Sequence, residues 1–461
     1  MSNIEFQSLN LPAALLDNLS KLGYSQMTEI QAQSLPVTLK GKDLIGKAKT
    51  GSGKTASFAI PMLTKLNPRF FGIQGIVLCP TRELSTQVAN EIRKVARYQA
   101  NIKVITLCGG QPIGPQIGSL EHGAHIVVGT PGRIKDHLRK GTLDLESVDT
   151  FVLDEADRML DMGFLDEISH IASFMPKKRQ TLLFSATFPE DIENFSKEFQ
   201  QSPETVEVES SHSQSQIEQL FYKVEKGLEN KNDGLIRILQ NHTPKQAVVF
   251  CNTKQTCNDV AMFLRENGYA ALPLQGDMEQ RDRDLTLVRF ANQSSSILVA
   301  TDVAARGIDI EDLDAVINYD LPRDPEVYVH RIGRTGRAGK SGQAFSLYLG
   351  SEKMRYDLIN SMQSTPIDIL GIEKLKQYQN KPDKPEMVTI ALDGGKKQKI
   401  RPGDILGALT GTIGIPGSSV GKINIFDFAS YVAVARSDAR MALNGLGEGK
   451  IKGKKLRVRR I

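Results

Sequence analysis

Short apolar runs recur along the chain, and each ends in a polar or glycine-rich cluster. The runs are rich in Val, Ile and Leu without alternation, which is typical of strands buried on both faces of a parallel sheet. They read GIVLCPTRE, IVVGTPGR, FVLDEAD, TLLFSAT, AVVFCNT, ILVATD and AVINYD. Helix-like segments such as ELSTQVANEIRKVARY and QTCNDVAMFLRENGY separate them. This alternation predicts open α/β sheets with helices on both faces, whose ligands bind beyond the carboxyl ends of the strands.

Two polar stretches divide the series. The first covers about 201–216, and the second, QYQNKPDKPE, precedes a different pattern at the C-terminus. Because 461 residues are too many for one hydrophobic core, we expect several domains. The pattern predicts an α/β lobe over 1–205, a second α/β lobe over 216–368 and a small domain over 387–461.

Composition adds little to this picture until the charge is divided along the chain. Hydrophobic residues make up 40% and charged residues 24%, which is ordinary for a soluble globular protein. No apolar run is long enough for a membrane span, and no N-terminal signal peptide is visible, so we expect no membrane association. The four cysteines lack CxxC spacing, which favours reduced thiols in a cytoplasmic protein over disulfides or zinc.

The net charge of +5 conceals a strong asymmetry. The segment 387–461 carries 14 lysines and arginines against 5 acidic residues, while the rest of the chain has 44 against 48. A basic segment of this kind is expected where a domain meets a polyanion. A charged surface that only adds solubility is the alternative, and the charge alone does not decide between them.

The segment DLIGKAKTGSGKT predicts a phosphate-binding loop between a strand and a helix. Backbone N–H groups of such a loop and of the helix N-terminus suit an anion. Lys54 is expected to reach the β- and γ-phosphates of ATP, and the Thr55 hydroxyl to bind Mg²⁺. A glycine-rich turn without a ligand is the alternative. The predicted phosphate-site residues are Ala48, Lys49, Thr50, Gly51, Ser52, Gly53, Lys54 and Thr55.

FVLDEAD supplies the acids that a phosphate loop lacks. Asp154, at the end of an apolar strand, is expected to hold the Mg²⁺ hydration shell. The adjacent Glu155 can orient and deprotonate the attacking water. The alternative is an acidic helix cap, since DEADRML begins a plausible helix.

YVHRIGRTGRAG places three arginines at intervals of three, separated by glycines that disfavour an exposed helix. Arginines from a separate lobe stabilise charge on a transferring γ-phosphoryl group. Arg334 and Arg337 are therefore candidates for that role, with plain surface charge as the alternative. The hypothesis requires the two lobes to close over ATP.

Together these motifs resemble the DEAD-box RNA helicases. DEAD itself stands at 154–157, and Ala48 matches that family's AxTGSGKT loop. Further segments follow in the family's order over about 6–349. They are the Q motif at 23–31 with the upstream aromatic Phe6, PTREL at 80–84, GG at 109–110, TPGR at 130–133, SAT at 185–187, QGD at 275–277, Gln280 with Arg283, 300–309 and 330–337. One departure is Met27, where the Q motif usually has proline.

The resemblance implies two RecA-like doubly wound lobes and further site residues. Gln31 and Phe6 would meet adenine, and Gly307 and Asp309 the ribose and phosphates. Ser185, Thr187 and His330 would couple hydrolysis to strand release. The residues implied to hold one RNA strand's backbone are Thr81, Arg82, Gly110, Gly132 and Arg133 in the first lobe, and Gly276, Arg283 and Thr301 in the second. Taken singly, such residues at strand ends often only make turns.

The C-terminal segment predicts β-α-β-β-α-β order, the ferredoxin-like α+β arrangement that RNA-recognition modules share. Its strand SYVAVA has Tyr431 as its only aromatic, so the usual base-stacking face is largely missing and a structural appendage is the alternative. Two basic clusters favour RNA binding instead. They are Lys396, Lys397, Lys399 and Arg401, and Lys450, Lys452, Lys454 and Lys455.

DGGKK, RPGDILGALTG and KIKGKK resemble the tail of the bacterial DbpA subgroup of DEAD-box helicases. That resemblance implies a large-subunit ribosomal RNA hairpin as partner and a role in large-subunit assembly. The overall expectation is an RNA-stimulated ATP hydrolase that unwinds RNA locally. An ATP-gated RNA clamp and a DNA helicase on the same lobes are the rival functions.

Overall fold

A computed structural model describes residues 5–48, 51–187, 190–208, 217–224, 228–305, 313–336, 341–363, 365–378 and 382–461. The described residues form two compact units, one up to residue 208 and the other from residue 217 onward. Lys49, Thr50, Gly307, Asp309 and Arg337 lie outside the described residues, so the expectations for these five are not addressed by the structure. No helix in the described part of the chain is long and apolar enough to cross a membrane.

The first unit is a seven-stranded parallel sheet with helices on both faces, in the order β3-β4-β2-β5-β6-β1-β7. Its strands are β1 Leu44–Lys47, β2 Gly75–Leu78, β3 Val104–Leu107, β4 Ile126–Gly129, β5 Thr150–Asp154, β6 Gln180–Ser185 and β7 Glu204–Glu207. Its helices are α1 Ala13–Lys21, α2 Glu29–Thr38, α3 Lys54–Lys65, α4 Arg82–Val95, α5 Gly114–Glu121, α6 Pro131–Arg139, α7 Ala156–Asp161, α8 Leu165–Ala172 and α9 Glu190–Phe199. β2, β4, β5 and β6 are buried at every position, as their unbroken apolar runs predict.

The second unit begins with another seven-stranded parallel sheet, in the order β10-β11-β9-β12-β13-β8-β14. Its strands are β8 Ile217–Val224, β9 Ala247–Cys251, β10 Ala271–Leu274, β11 Ile297–Thr301, β12 Ala315–Asn318, β13 Gly342–Leu349 and β14 Asp368–Gly371. Its helices are α10 Leu228–His242, α11 Lys254–Glu266, α12 Gln280–Ala291, α13 Asp302–Ala305, α14 Pro325–Ile332 and α15 Lys353–Ser361. The prediction of two doubly wound lobes is confirmed.

The C-terminal part of the second unit is a four-stranded antiparallel sheet in the order β16-β17-β15-β18. The elements are β15 Met387–Leu392, α16 Pro402–Gly407, β16 Val420–Ile425, β17 Ser430–Ala435, α17 Ala439–Glu448 and β18 Val458–Arg460. Ile390, Leu392, Val432 and Val434 point to a core shared with the helices. The β-α-β-β-α-β order predicted from the sequence is confirmed.

The domain limits predicted from the sequence stay predictions, but two edge strands run past them. β7 ends at Glu207, inside the stretch that we expected to be only a linker, and it pairs with β1 in the first sheet. β14 ends at Gly371 and pairs with β8. The expectation that regular structure pauses from about residue 201 was therefore wrong for these four residues of β7.

Candidate nucleotide and RNA sites

The order of the strands sorts the motifs of the first lobe into two groups. The phosphate loop, the DEAD segment and the SAT segment follow β1, β5 and β6, which are neighbours in the sheet. The segments implied to bind RNA follow β3, β4 and β2, which are also neighbours. Since all these strands are parallel, both groups lie on the carboxyl edge of the sheet, where ligands of this fold bind.

The described residues of the phosphate loop, Ala48 and Gly51 to Gly53, lie between β1 and α3. Gly51 and Gly53 have φ of +81° and +90°, a conformation that glycine adopts without strain. Lys54 is the first residue of α3 and is only 7% exposed. Its Nζ donates to the carbonyl of Ala48 at 2.9 Å, which holds the ammonium group across the loop. The first N–H groups of an α-helix lack partners in the preceding turn of that helix, so the N-terminus of α3 suits an anion.

Gln31 is tied to this loop through both ends of its carboxamide. Nε2 donates to the carbonyl of Gly53 at 3.0 Å, and Oε1 accepts from the N–H of Thr28 at 3.0 Å. A Cβ atom at position 53 would lie 2.4 Å from Nε2, so only glycine permits the contact. A primary amide has two N–H groups and two lone pairs, and one of each remains for a ligand such as an adenine edge.

Phe6 lies in the hydrophobic core of the first lobe rather than on an open surface. Its ring is 3% exposed and meets Tyr24 edge-on, with the centroids 6.0 Å apart. Tyr24 in turn donates to Glu91 at 2.9 Å. The aromatic at the upstream position therefore supports the segment that carries Gln31.

Asp154 ends β5 and is 3% exposed. Its Oδ1 is buried and has no hydrogen-bond partner. Burial raises the pKa of Asp154 to about 6, although the charge of Lys54 acts in the opposite direction and that of Glu155 in the same one. An unsatisfied buried carboxylate oxygen is costly by itself and suits a hard divalent cation, so this residue fits the expected Mg²⁺.

Glu155 has a backbone conformation that few side chains adopt. Its φ of +56° and ψ of +53° are left-handed, a strain of order 1–3 kcal/mol that is typical of functional sites. The carboxylate is buried, and its Oε2 lies 3.5 Å from Nη1 of Arg158. The strained turn lets β5 end and α7 begin within one residue.

Asp157 connects the DEAD segment to the SAT segment after β6. Its Oδ2 accepts hydrogen bonds from the N–H of Ala186 at 3.2 Å and from the N–H and hydroxyl of Thr187 at 3.0 Å each. The N–H of Asp157 donates to Ser185 Oγ at 3.3 Å, and that hydroxyl donates to the carbonyl of Thr187 at 2.7 Å. Burial opposes ionisation, but the charges of Arg158 and Lys54 and the Thr187 hydrogen bonds together lower the pKa of Asp157.

The RNA half of the first lobe is interlocked across three strand ends. Thr81 caps α4, its hydroxyl accepting from the N–H of Leu84 at 3.3 Å. The guanidinium of Arg82 lies against Gly110, where a Cβ atom would be 1.6 Å from Nη1.

Arg133, at the start of α6, joins the same group from the neighbouring strand end. Its Nη2 donates to the carbonyl of Gln111 at 3.0 Å, while Nε and Nη1 are buried without a hydrogen-bond partner. Gly132 has open space around its Cα. The structure thus brings together the first-lobe residues implied to hold RNA.

The corresponding residues of the second lobe also meet at neighbouring strand ends. Gly276 follows β10 and Thr301 ends β11, and these strands are adjacent. Arg283 on α12 donates from Nη2 to the carbonyl of Ala304 at 2.5 Å, which fixes α12 against α13. His330 lies in the last turn of α14, which ends at Ile332. Gly333 is the C-cap of this helix, and Arg334 is the next residue.

Arg331 is the residue of this lobe whose role the sequence did not reveal. It is 2% exposed, and its Nε and Nη2 donate to the two carboxylate oxygens of Asp302 at 2.6 and 2.7 Å. Nη1 donates to Asn318 Oδ1 at 3.1 Å and to the carbonyl of Asp320 at 2.7 Å. The guanidinium also stacks over Phe250 at 5.1 Å. Arg331 therefore anchors α14, and with it the turn that carries Arg334, to the ends of β11 and β12.

In the C-terminal domain the two basic clusters, about fifty residues apart in sequence, adjoin in space. Lys452 Nζ donates to the carbonyl of Lys399 at 3.0 Å, and Lys454 Nζ to that of Gln398 at 3.4 Å. Lys452 also lies 3.6 Å from Asp404. All eight predicted basic residues are exposed, and they form one surface that we call the basic end.

The outer face of the same sheet is turned toward the second lobe. Thr389 Oγ1 lies 2.7 Å from Ser294 Oγ and accepts from Asn292 Nδ2 at 3.3 Å. Thr389 pairs with Ala433, which points to the same face, and both are buried. Small residues on this face allow close contact with the lobe. The sheet face on which RNA-recognition modules usually carry stacking aromatics is therefore covered by the second lobe in this chain, and SYVAVA has small residues there.

Comparisons with known proteins agree with this arrangement. Three protein-family models match the chain: the DEAD/DEAH box helicase model over residues 28–195, the helicase conserved C-terminal domain model over 230–339, and the DbpA RNA binding domain model over 389–460. The yeast protein Dbp5 bound to RNA and ADP BeF3 superposes with a TM-score of 0.72 at 31% identity, covering 80% of this chain and 96% of that one. The lobes and their motifs define an ATP-hydrolysing RNA helicase.

Two relatives match almost end to end. ATP-dependent RNA helicase DbpA of Escherichia coli is 52% identical over 461 residues, covering 98% of this chain and 99% of the relative. ATP-dependent RNA helicase DbpA of Bacillus subtilis is 38% identical over 476 residues, covering 98% of each. The chain belongs to the DbpA family of DEAD-box ATP-dependent RNA helicases, so it uses ATP and binds RNA.

Proposed function

We propose that this helicase anchors itself by its C-terminal domain on a hairpin of large-subunit ribosomal RNA and separates short duplexes nearby during assembly of the large subunit. This role implies a large-subunit precursor as partner and a cytoplasmic location. The observation that carries the proposal is the basic end, where two clusters meet on a domain of the DbpA type.

The basic end supports anchoring on RNA by simple electrostatics. Phosphate contacts from eight exposed cations release counterions, which gives affinity that falls steeply with salt. The covered sheet face cannot offer the base stacking of ordinary RNA-recognition modules. The hairpin is therefore proposed to meet the loops at this end of the sheet. A bound hairpin raises the local concentration of adjacent duplex at the lobes.

At the nucleotide site, Thr55 and Asp154 are proposed to hold Mg²⁺, in part through water. The ion would neutralise charge on the β- and γ-phosphates. Lys54 binds the same phosphates, and Glu155 orients and deprotonates the attacking water. Arg334 and Arg337 stabilise the charge that develops on the γ-phosphoryl group. Closure of the lobes brings the two sets of groups to the same triphosphate.

Asp157 offers a route from hydrolysis to RNA. Its carboxylate accepts three hydrogen bonds from the SAT segment, two of them from Thr187. A shift of the DEAD segment when the nucleotide changes therefore moves Thr187. The proposed RNA grip contacts phosphates and 2′-hydroxyls and reads no sequence. Such a grip fits a bent single strand better than a regular duplex, which predicts local unwinding.

RNA-stimulated phosphate release tests the chemistry. Glu155→Gln keeps the size of the side chain but removes the base, so turnover should fall at least a hundredfold while nucleotide binding remains. Glu146→Gln, on an exposed loop, is the matched control and should behave as the unchanged protein. Intact turnover in Glu155→Gln would show that another group activates the water.

The anchoring proposal needs a separate experiment. The full chain and a chain that ends at Asn380 are compared for affinity to a hairpin from large-subunit ribosomal RNA at moderate salt. We expect the shorter chain to bind more weakly, and equal affinity would rule out anchoring. Crosslinking to cellular RNA then tests the target, since recovery of mature messages instead of ribosomal RNA would contradict it.

A further inference from the structure

One aromatic side chain of the C-terminal domain stands in solvent without a packing role. Phe428 is 67% exposed, more than any other aromatic side chain in the described part of the chain. It occupies the corner between β16 and β17, where the N–H of Phe426 donates to the carbonyl of Ala429 at 2.8 Å. A single exposed apolar residue needs no explanation by itself. The residues around Phe428 point to a function for this exposed side chain.

The corner is fastened to the first basic cluster by the backbone. The N–H of Lys396 donates to the carbonyl of Phe426 at 2.8 Å, and the N–H of Lys397 to that of Asp427 at 2.9 Å. Gly395 makes this contact possible, because a Cβ atom there would lie 2.1 Å from the carbonyl oxygen of Phe426. The corner that carries Phe428 is therefore fastened, backbone to backbone, to the segment that carries these two lysines.

The ring of Phe426 packs at the same corner. Phe426 is half-buried and meets Tyr431 edge-on, with the centroids 5.5 Å apart. Phe428 has no such partner, so its π-face is available to a ligand. An exposed aromatic beside cations is the combination that binds unpaired nucleotides, because bases stack on the ring while phosphates contact the lysines.

We infer that Phe428 stacks on an unpaired base of the RNA that the basic end holds, so that the corner is a subsite for a single-stranded nucleotide next to the hairpin. The inference rests on the proposed RNA anchoring. The ligand class is an unpaired nucleotide of any base. Every base has a π-face that can stack, and the phenyl ring of Phe428 has no hydrogen-bonding group that would distinguish one base from another. The covered sheet face cannot provide this stacking, and the corner takes its place.

Binding of two RNAs to the full chain tests the subsite. One probe is a hairpin with blunt ends, and the other is the same hairpin with a five-nucleotide single-stranded extension that carries 2-aminopurine. Phe428→Ala should weaken binding of the extended hairpin by about tenfold and abolish the 2-aminopurine quenching. Phe428→Trp should restore both, while Phe428→Leu, which keeps an apolar side chain without a π-face, should resemble Phe428→Ala. Met441→Ala, also at an exposed apolar residue of this domain, is the control and should change neither.

Salt dependence separates this inference from the anchoring beneath it. Stacking carries no charge, so Phe428→Ala should lower affinity without changing the slope of log K against log salt. Lys396→Gln with Lys397→Gln should reduce that slope by on the order of one unit or more. If the lysine variants weaken binding and Phe428→Ala does not, the stacking subsite is refuted and anchoring stands. If neither matters and the chain ending at Asn380 binds equally well, the anchoring proposal itself fails.

Discussion

Gly110→Ala tests the proposed RNA grip of the first lobe through a single added methyl group. The new Cβ atom would lie 1.6 Å from Nη1 and 2.1 Å from Cζ of Arg82, whereas ordinary contact begins at 3.4 Å. The guanidinium must therefore move away by nearly 2 Å. The φ of +70° at this position adds a strain of roughly 1–2 kcal/mol for any residue with a Cβ atom.

The consequence should be specific to RNA. Loss of one charge-assisted hydrogen bond from Arg82 costs about 1.5–3 kcal/mol, or on the order of ten- to a hundredfold in RNA affinity. The RNA concentration for half-maximal ATP hydrolysis should rise by that factor. The nucleotide residues follow β1, β5 and β6, on the other half of the sheet, so the KM for ATP at saturating RNA should change little.

A steady-state ATPase titration with single-stranded RNA measures both quantities. Gly114→Ala is the matched control, because no atom lies within 4 Å of its added Cβ atom and its φ is not positive. An unchanged RNA dependence in Gly110→Ala would refute the role assigned to Arg82. A raised KM for ATP with normal RNA dependence would show that this half of the edge serves the nucleotide.

Three further variants address other contacts. Burial raises the pKa of Asp154 from 3.8 to about 6, so the ligand-free protein loses stability as pH rises through that window. Asp154→Asn should therefore increase the free energy of unfolding at pH 8 by up to about 3 kcal/mol, which a raised melting temperature would show, and it should abolish hydrolysis. An unchanged melting temperature would argue against a buried charge. Thr187→Ala removes one of the hydrogen bonds to Asp157 and should reduce strand displacement more than ATP hydrolysis, measured in parallel on one duplex; an equal loss of both would contradict a coupling role. Arg331→Met should destabilise the second lobe by about 3 kcal/mol in denaturant melts, because Asp302 loses its partner, and adding Asp302→Asn should recover part of the loss; additive effects would show that the pair is not coupled.

The central strands could be predicted from sequence because their burial leaves a local signature. β2 and β5 are unbroken apolar runs bounded by polar motifs, and the structure buries every residue of both. Edge strands lack this signature. Most of β7 is exposed or half-exposed, so Glu204–Glu207 looks like the polar linker that precedes the second lobe.

The site was predictable in its motifs but not in its internal contacts. Spacing predicts that Lys54 and Asp154 belong to the nucleotide site, yet nothing in the sequence connects Gln31 to the carbonyl of Gly53. Arg331 was overlooked because one arginine among three at equal spacing looks the same as its neighbours, and its hydrogen bonds to Asp302 and Asn318 appear only in the fold. The covered sheet face depends on Thr389 meeting Ser294, a contact between residues 95 positions apart that periodicity cannot reveal.

The measurement that tests the central claim most directly is strand displacement on two substrates that contain the same hairpin and the same short duplex. In one the duplex is joined to the hairpin, and in the other it is a separate molecule. We predict ATP-dependent release that is faster for the joined duplex with the full chain, and equal slow release of both with the chain that ends at Asn380. Equal rates for both substrates with the full chain, or release without ATP, would contradict an ATP-driven helicase anchored by its C-terminal domain.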